Sequence, residues 1–227
     1  MATGGAGEVD IDAVVTNTGQ IQVQRGTLSL NGGGSSTAGG LIVSSGATLR
    51  FGSAPGGGGP ATFAVTSGFY SVGATEVTGS TLDLSAASGA GFTTSLAISG
   101  GGAIKLGSLY STAANFSLGV DAAGGTLSGS SNFIVTGLAS FGTGLLTGGG
   151  GVVVLADYTT LNGTLSVDGN RTVQNAGTLD WTGGSIALAS GDASLSTHHG
   201  YLNNVAGGVF QIETDGTISG ALVHFAI

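Results

Sequence analysis

The residue pair with the sharpest chemical signature is His198-His199, followed by Gly200, with Asp192 near it in sequence. Imidazoles beside a carboxylate are the ligand types of zinc or nickel. Adjacent residues on a strand point to opposite faces, so the two rings share one ion only where a turn brings them together. An exposed loop or corner is the plainer expectation, and His224 stands alone. Glu8, Asp10 and Asp12 alternate, so that on a strand all three share one face. Calcium takes clustered oxygens, but the signatures of known calcium loops are missing, and a solvated edge is expected. No residue is assigned as a metal ligand, and no cofactor is expected.

Sugar hydrolysis with inversion needs two carboxyl groups about 6.5–9.5 Å apart. The chain has no Asp-Asp pair, and Asp83 and Asp180, in similar outward positions, are far apart in sequence. The single lysine, Lys105, and the scattered Arg25, Arg50 and Arg171 form no clamp for an anionic sugar. With a net charge of −8 and no basic run, nucleic-acid binding is not expected. There is no cysteine, which excludes disulfides and thiolate chemistry. No catalytic residue is assigned, and the chain reads as a non-enzyme. Tyr70, Tyr110, Tyr158, Tyr201 and Trp181 are candidates for a sugar platform, although Tyr70 and Trp181 suit packing equally well. Asn175 and the pair Asn203-Asn204, set among apolar residues, suggest an asparagine turn or an amide ladder between coils. Thr-x-Thr does not recur at a fixed period, so an ice-binding face is not expected.

The elements that must position these residues are short strands. Glycine contributes 47 of 227 residues, charged residues are 7% and hydrophobic residues 41%, with a mean hydropathy of +0.41. That balance is the reverse of a disordered chain, and the glycines lack the collagen period. No apolar run of about 18 residues marks a membrane helix, and no membrane insertion is expected. Alternating tetrads recur: TLSL at 27–30, TLRF at 48–51, TLDL at 81–84, AIKL at 103–106, TLSG at 126–129, TLSV at 164–167 and TLDW at 178–181. Several starts lie 21 to 23 residues apart, one gap is 33, and the later spacings are irregular. A period near 22 fits one coil of a three-faced parallel β-solenoid. Alternation points Leu28 and Leu30, Leu82 and Leu84, and Leu179 and Trp181 inward. Asn31-Gly32, Asn162-Gly163, Asp168-Gly169 and Asp215-Gly216 are turn signals, with glycine supplying positive φ. They would also suit antiparallel hairpins, the structural rival, but a meander repeats every 8–12 residues or so. The stretch 52–60, GSAPGGGGP, reads as an excursion that accounts for part of the 33-residue gap. One continuous solenoid over 1–227 is expected, with a soft division near 150. About ten coils at roughly 4.8 Å each make a rod of roughly 50 Å.

Residues 15–52, VTNTGQIQVQRGTLSLNGGGSSTAGGLIVSSGATLRFG, resemble a module of very large bacterial extracellular proteins of the adhesin and autotransporter-passenger kind. Residues 170–220 resemble the later part of that module. The resemblance implies a single-stranded right-handed parallel β-helix, exposure outside the cell or on its surface, and a role in structure, adhesion or matrix. The tail TISGALVHFAI stops within a strand-like run, so the chain is read as a slice of a longer rod. Implied partners are the chain itself, end to end or within that rod, and glycans or other cell-surface components. The alternatives are a glycan-binding surface module and, because this fold also carries such enzymes, a polysaccharide lyase or hydrolase.

Overall fold

The computed structural model describes residues 7–37, 40–53, 60–108, 110–188 and 199–220, and residues 222–225 as backbone. Their architecture is a parallel β-solenoid with three faces. One coil shows the plan. Tyr158–Leu161 lies on the first face, Thr164–Val167 on the second and Thr172–Asn175 on the third. The chain then returns to the first face as Thr178–Trp181, with Thr178 against Tyr158 one coil below. The second face is a continuous sheet of ten strands, from Val15–Asn17 to Ile218–Gly220. All pairings between described strands are parallel. That excludes a meander, whose neighbouring strands would be antiparallel.

Alternation sends every second side chain into the rod, where like positions stack. On the second face Phe63, Leu82, Ile104 and Leu127 form one buried column. On the first face Phe51, Val77, Ile98, Leu118, Phe141, Leu161 and Trp181 form another. Rings form a chain in the interior: Tyr70, Phe92, Phe133, Phe116 and Phe141 follow one another at centroid distances of 5.6, 6.5, 5.1 and 5.7 Å. A single coil has no partner for its apolar side, so burial is achieved only by stacking.

The tetrads belong to two faces. TLSL, TLRF and TLDW lie on the first face; TLDL, AIKL, TLSG and TLSV lie on the second. Thr27 stacks under Thr48, 21 residues on, but Thr48 stacks under Ala74, not Thr81. The 33-residue gap is therefore one lengthened coil plus a step to the next face. The proline-containing segment lies inside that lengthened coil, and its residues 54–59 are outside the described residues.

Two irregularities interrupt the plan. Phe69–Thr78 and Gly89–Ser99 run without a corner from the third face onto the first, with a register shift between Phe92 and Ser95. This joins both faces into one sheet of 16 strands. Nearer the start, Gln20–Val23 and Gly40–Val43 form a separate two-stranded sheet, and the third-face ladder is interrupted before Phe69. A cleft of about 330 Å³ lined by Leu41, Ile42, Phe69 and Tyr70 marks the break.

Glycine serves the corners in two ways. Gly169 of Asp168-Gly169 has φ +65°, the left-handed conformation expected of a turn glycine. Gly163 of Asn162-Gly163 has no such φ; a Cβ there would come within 2.5 Å of the Gly142 carbonyl carbon in the coil below. At that corner glycine is required by coil spacing and not by turn type.

Candidate functional site

Glu8, Arg50, Glu76, Asp83 and Lys105 form ion pairs across coils. Arg50 bridges Glu8 and Glu76 on the outer side of the first face, bonding Glu76 at 2.8 Å. The Ser29 hydroxyl donates to Glu8 at 2.6 Å. That bond, with help from Arg50 against a smaller desolvation effect, holds the Glu8 carboxyl below its usual range. Asp10 and Asp12 both accept from the Asn31 amide, at 3.3 and 2.9 Å. On the second face Asp83 stands one coil from Lys105, at 3.7 Å. Burial acts to raise the Asp83 pKa, but hydrogen bonds from Ser85 and the charge of Lys105 outweigh it, and the net shift is downward. Asp83 and Asp180 lie on different faces.

His199 donates its backbone N–H to Asn170 at 3.4 Å, and its ring meets the edge of Tyr201 at 6.5 Å. His198 and Asp192 lie outside the described residues. His224 is in register with Asn203. Among the described residues no group of three or more His, Cys, Asp or Glu side chains is placed to hold a metal. Asn175 and Asn204 form the internal amide ladder, with Asn175 donating to Asn204 at 2.6 Å and to the Val209 carbonyl at 2.7 Å. Asn203, one position on from Leu202, lies on the other side of the strand.

The five candidate platform aromatics do not come together. Tyr70 and Trp181 are interior, at 3% and 2% exposure. Trp181 stacks on Phe210 at 6.2 Å, and burial drives the Tyr70 phenol pKa upward, with a smaller opposing effect from its Thr75 bond. Tyr110 and Tyr201 belong to the third face and Tyr158 to the first. Sequence reasoning missed Arg171, which is fully buried at the corner between the second and third faces. Its guanidinium donates to the Gly129 carbonyl at 2.5 Å and to that of Ser131 at 3.3 Å, both from earlier coils. Burial pushes its pKa down to about 10.

The remaining feature is a groove on the outer side of the first face. Ala97, Ser117, Ser140, Thr160 and Asp180 stack in one outward column. Beside this column of mostly small residues rise Asn115, Leu138 and Tyr158, the last two 59% and 40% exposed. The trough between them measures about 400 Å³. Asn115 fixes the ridge across coils, donating to the Thr94 carbonyl at 3.1 Å and accepting from the Leu138 N–H at 3.0 Å. Tyr158 leans toward the next coil and donates its hydroxyl to Asp180 Oδ2 at 2.5 Å. That bond is the main reason its phenol pKa is raised. Asp180 is only 9% exposed, and its Oδ1 has no hydrogen-bond partner among the described residues. The chain matches no family model, no curated protein and no solved structure, so the site is read from its own geometry.

Proposed function

We propose that the chain is a non-catalytic structural and adhesive segment of a bacterial extracellular or cell-surface protein. The solenoid scaffold itself is the observed fold, and the observation that carries the reading is how its residues are used. Interior columns pass from coil to coil over ten rungs of the second face, and the outward cations Arg50 and Lys105 are tied into ion pairs between coils. A stacked rod presenting Ser, Thr and short loops suits spacing and display, because each coil contacts only its neighbours and length can grow without a new core. The acidic, lysine-poor composition and the likeness to large bacterial surface modules support the location. Its partners in this reading are further coils of a longer rod or a second copy, together with glycans or other cell-surface components.

The test has two arms. Purified chain incubated with neutral and acidic polysaccharides should generate no new reducing ends and no unsaturated products; either product overturns the non-catalytic reading. Displayed on cells that do not otherwise attach, the chain should raise attachment to glycan-coated or host-cell surfaces. Unchanged attachment with a correctly folded chain would remove the adhesive part.

A further inference from the structure

We propose that the trough between Leu138, Tyr158 and the Ser117–Ser140–Thr160 column binds an uncharged polysaccharide segment lying along the rod axis, with Asp180, one coil beyond the lining, accepting a sugar hydroxyl. The inference rests on the groove geometry and stands independently of whether the chain is catalytic.

The shape and chemistry of the trough favour this class of ligand. Sugar rings have apolar C–H faces and a rim of hydroxyls. A site for them pairs exposed apolar surface with a few fixed polar groups, which is the usual composition of a small-ligand cleft. Leu138 and the Tyr158 ring supply the surface, and tyrosine adds a polar tip to an apolar body. Ser117, Ser140 and Thr160 supply hydroxyls on successive coils, repeating at about 4.8 Å. Thr160 already donates to Ser140 at 3.3 Å, and each hydroxyl retains acceptor capacity for a ligand.

Charge narrows the choice. No cation lines the trough, and the acidic Asp180 follows Thr160 in the column one coil beyond the lining, bonded to the Tyr158 wall. A carboxylate repels uronates, sulfated sugars and phosphates. A peptide docking by strand addition needs a free sheet edge. The floor strands Phe116–Leu118 and Ala139–Phe141 are paired on both sides, so no such edge exists there.

The second observation is Asp180 itself. A buried carboxylate oxygen without a donor is costly, and here one oxygen is held by Tyr158 while the other is unpartnered. Movement of the Tyr158 ring toward a ligand would let a sugar hydroxyl serve the carboxylate. Asp180 also sets the ring's resting position, so Tyr158 is a contact residue and Asp180 both contact and positioning residue.

Maltohexaose, cellohexaose and mannohexaose, titrated calorimetrically against the whole chain, test the proposal beside hexagalacturonate as the anionic probe. At least one neutral hexasaccharide should bind and hexagalacturonate should not. Tyr158→Ala and Ser140→Phe, which shorten the wall and fill the trough, should each weaken binding at least about ten-fold. Tyr110→Ala, on another face, should leave it unchanged. Both groove positions point outward, and unchanged melting and circular dichroism certify the fold. Should either variant misfold, Tyr158→Phe serves instead: it keeps the ring, removes its bond to Asp180 and should change affinity. The proposal is overturned if none of the neutral probes binds, if both groove variants bind normally, or if hexagalacturonate binds equally well. Failure here with no cleavage products leaves the scaffold reading standing; cleavage products with groove-dependent binding would do the reverse.

Discussion

Arg171 shows how far a single residue departs from its sequence appearance. In the sequence it is one of a few scattered basic residues, in the run DGNRT, yet it is fully buried and satisfies carbonyls from earlier coils. Its acceptors lie 42 and 40 residues away, so nothing local announces them. Two effects oppose each other in Arg171→Met. Removing a buried charge recovers desolvation energy, while the stranded carbonyls each cost about 1–3 kcal/mol. With more than one carbonyl stranded, the second effect wins, and a net loss of about 2 kcal/mol is expected. It is to be measured as a lower thermal midpoint, with hydrogen exchange speeding up at Gly129–Ser131. Arg171→Lys should recover only part of this, because one ammonium cannot reproduce the planar fork. The Asn175–Asn204 ladder was legible, since two asparagines among apolar residues need internal partners. The Tyr158–Asp180 bond was not: the residues are 22 apart, and their contact follows only once Tyr158 is known to stack under Thr178.

Strands were legible from alternation, whereas faces were not. Any half-buried strand writes the same T-L-x-L pattern, so first-face and second-face tetrads merged into one series with irregular spacing. Corner glycines carry the missing information, but their types are invisible without neighbouring coils. Three substitutions separate their roles. Gly19 has open space within 4 Å of a built Cβ and no left-handed φ, so Gly19→Ala should be neutral or stabilise by about 0.4–1 kcal/mol through the unfolded chain. Gly46 is equally open but has φ +79°, so Gly46→Ala should cost about 1 kcal/mol from backbone strain alone. At Gly184 φ is +75° and a Cβ would lie 2.0 Å from the Gly163 carbonyl oxygen. Gly184→Ala therefore adds a clash between coil backbones and should be the most damaging of the three. Parallel thermal melts check the ranking; equal losses at Gly46 and Gly184 would show that coils separate easily.

At the scale of the whole rod, stability is a sum over neighbouring coils, and both charge and ladder continuity shape its distribution. Glu8 and Asp83 have pKa values lowered by folding. A carboxyl lowered in the folded state contributes stability above its unfolded pKa and loses it as pH falls through the folded value. The melting temperature should therefore be nearly flat from about pH 7 to 5 and fall below about pH 4, less steeply in Arg50→Gln and Lys105→Gln. Ladder continuity predicts where opening begins inside the rod. Phe133–Val135 is hydrogen-bonded to strands on both sides, Ser111–Ala113 and Val152–Leu155. Gly40–Val43 is paired with Gln20–Val23 alone, because the third-face ladder is interrupted before Phe69. Its inner side still contributes Leu41, 8% exposed, so the coil is held by packing more than by hydrogen bonds. Local opening free energy follows the contacts and hydrogen bonds that must be broken. Amides of Gly40–Val43 should thus exchange at least about ten-fold faster than those of Phe133–Val135, even though both lie on the third face. Leu41→Ala should widen that difference by loosening the coil at its break, while Val135→Ala should lower protection across several neighbouring coils together. Hydrogen exchange with mass spectrometry reads both, and uniform protection along the third face would mean that the break is bridged in solution.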